Sequence, residues 1–285
     1  MRGEGGLAAG LYMVATPIGN ARDITLRALD VLAAADVLAA EDTRAARRLM
    51  EIHGIALKGR PLIAYHDHNG PAQRPRLLRH LAEGAALACL SEAGTPLVAD
   101  PGYDLVRAAI AAGHPVTAVP GASALLAALC VAGLPTDRFM FAGFPPARKA
   151  ARRRFLAGLA GVPATLVFCE SPRRVAESLA DMAAIFGPER PAALCRELTK
   201  RFEEVRRARL GDLVKELFSE QVLRGEIVLV LGPPGPAASD EDAVAAALRE
   251  ALQSMSLREA VREVVARTGA PRRRVYAMAL EIAGR

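Results

Sequence analysis

The chain has 285 residues, 52% of them hydrophobic with no tryptophan, and its 37 basic and 31 acidic side chains leave a formal net charge of +6. That length exceeds one ordinary core and predicts two domains of about 100 to 130 residues. No apolar run approaches the ~20 residues needed to cross a bilayer, and M-R-G-E-G-G-L-A-A-G at the start is not apolar enough for a signal peptide, so a cytoplasmic protein is expected.

Residues 11–15, L-Y-M-V-A, form a short β-type run that ends in the turn signal T-P-I-G-N. Leu26, Leu29, Leu32 and Ala33 then recur at helical spacing behind the cap candidates Asp23 and Thr25. A strand at 36–40, a basic helix at 43–53, a strand at 61–65, a helix near 76–83 and a strand at 86–90 follow. The stretch S-E-A-G-T-P-L-V-A-D-P-G, 91–102, leads into a helix at 103–112 and a strand at 115–119. Strands alternating with helices predict a parallel sheet covered on both faces.

The second half changes pattern. An apolar helix at 124–131 precedes an apolar stretch at 139–144, and a helix opens in a basic cluster. Strands are predicted at 165–169, 192–197 and 226–231, with E-E-V-R-R-A-R-L alternating enough to add another, which makes an α+β unit with a mixed sheet. Composition breaks at G-P-P-G-P-A-A-S-D, a stiff linker. Beyond it two helices flank a T-G-A turn, the second opening with Arg272, Arg273 and Arg274, in the outline of a small helix-turn-helix module. The expected layout is a flexible tail at 1–10, an α/β domain at 11–120, a second at 121–232, a linker at 233–239 and a helical module at 240–285.

The cysteines, Cys89, Cys130, Cys169 and Cys195, lie far apart with no C-x-x-C pair and are expected to be buried, inert thiols. H-D-H-N at 66–69 reads as a polar loop, and no metal site is expected. There is no G-x-G-x-x-G opening the first βα turn and no G-x-x-x-x-G-K-[ST], which argues against a dinucleotide enzyme or a P-loop ATPase. The 91–102 stretch starts at the carboxyl end of a strand, where ligands of open parallel sheets sit. Gly94 lets a ligand approach the backbone, whereas Pro96 and Pro101 remove two amide donors. The resulting loop is rich in carbonyl acceptors and suits an amino-bearing group such as adenine better than a phosphate.

Seven ordered blocks carry a resemblance: T-P-I-G-N-A-R-D-I-T-L-R-A-L, A-A-E-D-T-R, E-A-G-T-P-L-V-A-D-P-G, V-P-G-A-S-A-L-L-A-A-L, G-L-P-T-D-R-F, E-S-P-R-R and R-E-L-T-K. In this order the chain resembles the ribosomal RNA small subunit methyltransferase I branch of the tetrapyrrole (corrin and porphyrin) methylase superfamily, from about residue 11 to 231 and again in the helical tail. The sequence departs from the usual family pattern at Glu92 (for Asp), Ala99 (for Ser), Ala122 (for Pro), Cys169 (for Tyr) and Arg174 (for His). The resemblance implies two α/β domains with S-adenosyl-L-methionine in the cleft between them, a homodimer, and 2′-O-methylation of a cytidine in the decoding region of 16S rRNA. It places the cofactor against Pro17, Glu92, Gly94, Thr95, Pro96, Val98, Ala99, Ser123, Ala124, Glu170, Leu198 and Glu226.

Methyl transfer from a sulfonium to a hydroxyl is an in-line displacement that needs alignment and a water-poor cleft but no metal. A ribose hydroxyl needs an acceptor for its proton. Asp100 and Glu197 are candidates, with Lys200 able to stabilise the developing oxyanion or to act itself if desolvated. Phosphate contacts are expected from Arg44, Arg47 and Arg48 on one helical face, from the cluster Arg148, Lys149, Arg152, Arg153 and Arg154, and from Arg173, Arg174 and Arg201. The expected partner is 16S rRNA or the small ribosomal subunit. Two other readings stay open: a tetrapyrrole C-methyltransferase, and a non-catalytic RNA-binding assembly factor.

Overall fold

The computed structural model describes residues 6–66, 68–98, 102–219, 223–234 and 240–284. The chain divides into two compact units, at residues 1–233 and 234–285.

The first unit begins with the predicted alternation of strands and helices: β1 (Gly10–Val14), α1 (Leu26–Ala34), β2 (Val37–Ala40), α2 (Thr43–Ile52), β3 (Leu62–Ala64), α3 (Gly70–Ala82), β4 (Ala86–Leu90), α4 (Tyr103–Ala111) and β5 (Val116–Val119). All neighbouring strands are parallel, in the order β3-β2-β4-β1-β5. The period-2 pleat sorts the strand side chains onto two faces. Tyr12, Val14, Leu38, Ala40, Ala88 and Leu90 meet α1 and α2 on one face. Leu11, Met13, Val37, Ala39, Leu87 and Cys89 meet α3 and α4 on the other. Because β1 and β4 are neighbours whose following helices lie on opposite faces, their carboxyl ends part and leave a crevice, the usual ligand position in such sheets.

After α5 (Ala124–Ala132) come β6 (Phe139–Gly143), α6 (Lys149–Leu159), β7 (Thr165–Glu170), α7 (Val175–Phe186), β8 (Pro191–Arg196), β9 (Glu204–Arg209), α8 (Leu210–Ser219) and β10 (Ile227–Leu231). The second sheet has the order β6-β7-β10-β8-β9 and is mixed, with only the β6–β7 pair parallel. Leu166, Phe168, Leu194, Leu229 and Leu231 pack on α6, α7 and α8. The alternate residues Val167, Ala193, Cys195, Val228 and Val230 pack on α5 and on Ile18, which arrives from the turn after β1. Ser123 caps α5, its hydroxyl accepting from the Leu126 amide, and at the far end Nε of Arg207 donates to the Val131 carbonyl at 2.8 Å.

In the second unit α9 (Asp240–Ala251), α10 (Leu257–Thr268) and α11 (Arg272–Ile282) surround their own core of Val244, Leu248, Val261, Val264, Val275 and Ala279. A Ser256–Glu259 capping box starts α10, and Gly269, at φ +68°, ends it. Arg272, Arg273 and Arg274 are exposed on the first turn of α11.

Several expectations need correction. The helix expected near 76–83 starts six residues earlier, because Pro71 occupies the first turn, where a missing amide costs nothing, and Pro75 is tolerated inside it. Helices α7, α8 and α9 were not anticipated as elements. The thiols are not uniformly buried: Cys89 and Cys195 are, whereas Cys169 is partly accessible and Cys130 is exposed on α5. Among the described residues no helix is long and apolar enough to cross a membrane, and no group of His, Cys, Asp and Glu is arranged to hold a metal ion.

Candidate active site

The turns after β1 and β4 are joined where the strands part. The Thr16 amide donates to the Gly94 carbonyl at 2.9 Å and the Gly94 amide returns a bond to the Thr16 carbonyl at 3.0 Å, an isolated antiparallel bridge at the end of a parallel sheet. The Thr16 hydroxyl lies 3.1 Å from the Ser91 hydroxyl and donates to the Ser91 carbonyl at 3.2 Å. Gly94 has φ +86°, and a Cβ there would lie 3.3 Å from Cγ2 of Ile18, so both the conformation and the close approach favour glycine. The Thr95 hydroxyl donates to the Ala122 carbonyl at 3.1 Å, which ties the loop to the segment ahead of α5.

The second sheet contributes the turn after β8. The Thr199 hydroxyl accepts from the Asn20 amide at 3.1 Å, and a Cβ on Gly19 would fall 2.3 Å from Cγ of Lys200, so the lysine stem lies against that glycine. Lys200 Nζ reaches Glu197 Oε1 at 3.0 Å and Glu226 Oε2 at 3.1 Å, and Glu197 Oε1 also accepts the Glu226 amide at 2.9 Å. That amide bond and the ammonium hold the Glu197 carboxyl below its ordinary range. For Lys200 burial pulls the other way, but the two carboxylates together outweigh it and raise the ammonium's pKa. The pairing with Glu197 and Glu226 thus favours the charged form of Lys200.

Backbone strain collects here. Among the described residues only Lys58, Leu97, Glu197 and Thr199 are non-glycine with positive φ, and three of the four belong to these two loops, at +71°, +51° and +65°. Each costs of order 1–3 kcal/mol and persists only where surrounding structure over-determines it, a hallmark of ligand-binding loops.

The predicted residues divide as follows. Pro17, Gly94, Thr95 and Pro96, with Ser123, Ala124 and Leu198, come together around the bridge and the α5 start. Glu92 and Val98 are exposed beside them, Val98 next to the equally open Leu97. Ala99 and Asp100 lie outside the described residues. The Glu170 carboxylate is directed inward: it accepts the Ser171 amide at 2.7 Å and the Ser178 hydroxyl at 2.5 Å, and pairs with Arg174 at 2.7 Å. Its side chain, fully buried, thus shapes the end of β7, and Arg174 is occupied with it.

Arg152 is the clearest departure from the expected phosphate-binding surface. It is 1% exposed, and its guanidinium donates to Asp181 at 2.8 Å, to the Ala147 carbonyl at 3.2 Å and to Glu177 at 3.3 Å. It fastens α6 to α7 and has no face left for a phosphate. Arg44, Arg47, Arg48, Arg148, Lys149, Arg153, Arg154, Arg173 and Arg201 are all exposed. Arg44 also pairs with Asp42 at 3.4 Å, and Arg201 lies over the Phe202 ring.

A cleft of about 290 Å³ opens beside the bridge, between α2 and the turns after β1 and β4. It was not anticipated. The loops at 90–98 and 121–124 carry no basic side chain. With Pro17 beside them they present carbonyls, the hydroxyls of Ser91, Thr95 and Ser123 and the apolar surface of Leu97 and Val98, a donor-poor lining that fits an adenosyl group carrying a sulfonium and would repel no cation.

Comparison with known proteins defines the class. The family model for Tetrapyrrole (Corrin/Porphyrin) Methylases matches residues 10–214, and that for the RsmI C-terminal HTH domain matches residues 237–283. A solved uroporphyrin-III C-methyltransferase from Thermus thermophilus, complexed with S-adenyl homocysteine, superposes with TM-score 0.54 at 25% identity over 78% of this chain and 97% of that one. Ribosomal RNA small subunit methyltransferase I of Micromonospora olivasterospora is 48% identical, over 93% of this chain and 85% of its own length. The protein of the same name from Mesorhizobium japonicum is 46% identical, over 97% and 93%. The chain therefore belongs to the tetrapyrrole methylase family and, within it, to the ribosomal RNA small subunit methyltransferase I group.

Proposed function

We propose that the protein is a cytoplasmic S-adenosylmethionine-dependent methyltransferase that methylates the 2′-oxygen of a cytidine in 16S rRNA. The observation that carries this is the convergence of two strained loops on one joint, the Thr16–Gly94 bridge beneath the Leu198–Lys200 turn. Its support also includes the relatives' names and the S-adenyl homocysteine complex of the Thermus thermophilus protein. The ribose acceptor and the cytidine rest on the family resemblance.

S-adenosylmethionine supplies the methyl group. Thr95–Val98 and Ser123–Ala124 would hold the adenosyl part through carbonyls and apolar contacts, and Pro17 would close the side facing the first sheet. Lys200, held protonated, would stabilise negative charge growing on the ribose oxygen, and Glu197 and Glu226 would fix where that ammonium stands. Asp100 and Glu197 are the candidates to receive the hydroxyl proton, Glu197 the weaker base of the two because its carboxyl is held below the usual range. Arg44, Arg47, Arg48, Arg153 and Arg154 would grip phosphates, which positions rRNA without reading its sequence. The homodimer belongs to the same reading; exposed Phe139 and Met140 on the edge strand β6 offer apolar surface for it.

The test is to incubate the purified chain with labelled S-adenosylmethionine and small subunits from a strain lacking the modification, then to map the label by mass spectrometry. Label on one cytidine ribose is expected. Label on a base, label on a tetrapyrrole precursor instead, or no cofactor binding by calorimetry would each overturn the reading.

A further inference from the structure

The cleft beside α2 is adjacent to the loop that begins at Gly94, and its lining is divided by chemistry. Pro17, Ile18, Leu49 and Ile52 give apolar walls, the Thr16 and Ser91 hydroxyls lie at its inner end, and Arg48 and Glu92 stand on its border. Ile52 is 57% exposed at the end of α2, a large apolar side chain left open to solvent. Arg48 and Glu92 are both exposed, and neither has a hydrogen-bonding or ion-pairing side-chain partner among the described residues. Water solvates both charges in the open cleft, and because neither is tied to a protein partner both are available to a ligand; together they match a group with a phosphate on one side and an amine on the other.

We infer that this cleft is the acceptor pocket, which takes one nucleoside swung out of the rRNA chain, and that Glu92 is the residue that selects cytidine. The inference rests on the function proposed above and deepens it. At about 290 Å³ the cleft lies at the lower edge of the ~300–1,000 Å³ range of small-molecule sites, a size for one pyrimidine nucleoside rather than a macrocycle. The base lies against Leu49 and Ile52, replacing the stacking lost when it leaves its neighbours. The Glu92 carboxylate accepts from the exocyclic amine of cytosine; uracil presents a carbonyl oxygen at that position and is repelled. Arg48 takes the adjoining phosphate, and Arg47 and Arg44 continue the track along α2. The ribose is left facing the Thr16–Gly94 bridge, where the methyl donor's loop begins, and Lys200 lies behind Gly19 in the same wall.

The experiment measures kcat/KM on reconstituted subunits whose target position is cytidine or uridine, for the wild-type protein, Glu92→Gln and Glu92→Asp, with cofactor affinity followed by calorimetry. Wild type is expected to prefer cytidine by about tenfold or more. Glu92→Gln, whose amide can donate to the uracil carbonyl, should lose about tenfold on cytidine and narrow or invert the preference; a fall in cofactor affinity with the preference intact would instead return Glu92 to the cofactor contact expected from the sequence and overturn the assignment. Glu92→Asp should keep the preference at reduced rate. A cytidine-to-uridine ratio that Glu92→Gln leaves unchanged would overturn the assignment while the methyltransferase reading stands. Failure of the wild-type protein to transfer methyl to the cytidine target would overturn that reading and the pocket with it.

Discussion

Arg152 stands four residues before Leu156 and seven before Leu159 on α6, so helical geometry puts all three on the stripe that faces the sheet. That spacing was visible in the sequence and pointed inward, but its partners Glu177 and Asp181 lie on another helix and could not be read from it. Replacing Arg152 by alanine leaves Asp181 buried without its cation and should cost about 3 kcal/mol in urea unfolding. Reversing Arg154 to glutamate instead should leave unfolding nearly unchanged and weaken rRNA binding, most of all at low salt, whereas Arg153 also reaches the buried Asp181 at 4.0 Å and is less free to change. Cysteine reactivity follows the same logic of position. Burial pushes Cys169 and Cys195 up to about 11, and Cys89 is buried, so at pH 8 a maleimide should label the folded protein once, at Cys130. Rapid labelling of two or more thiols before unfolding would contradict this.

At the scale of elements, the sequence was most legible where one strand, one turn and one helix repeat, because each breaks the hydrophobic period of the other. It failed where that punctuation is missing. β9 ends at Arg209 and α8 begins at Leu210 with no intervening residue, so Leu210 reads as the last residue of the strand and the helical stripe it opens with Leu213 and Leu217 goes unseen. In the candidate site, glycines and prolines marked the loop after β4, but the strain at Leu97, Glu197 and Thr199 has no compositional signal, since none is a residue that favours positive φ. The Glu197–Lys200 turn carries a pH signature. A lowered carboxyl pKa contributes stability above its ordinary value of 4.5 and loses it as pH falls through the lowered value. A raised ammonium pKa contributes below 10.5 and loses it as pH rises through the raised value. Glu197→Gln should therefore lower Tm by a constant amount at neutral pH, and the difference should shrink in melts recorded at progressively lower pH below about 4.5.

Across the molecule, the two sheets of the first unit share one side chain that neither could predict. Ile18 is carried on the turn after β1 yet is buried with Val167, Cys195 and Val228 beneath the second sheet. Ile18→Ala should cost about 2–4 kcal/mol in unfolding and weaken cofactor binding in calorimetry, because Gly94 packs on the same side chain. A packing variant in the α9–α11 core, Val264→Ala, should leave cofactor affinity unchanged, since that unit has its own interior.

That shared isoleucine also gives the lobes a common clock. Whatever steadies the β1 turn must slow the opening that would bare the interior of its neighbour, so occupancy by a ligand at one address is announced at another. Deuterium uptake at the amides of β10, well inside the second lobe, should fall when S-adenosylhomocysteine is added, and Ile18→Ala should silence that message even at saturating ligand.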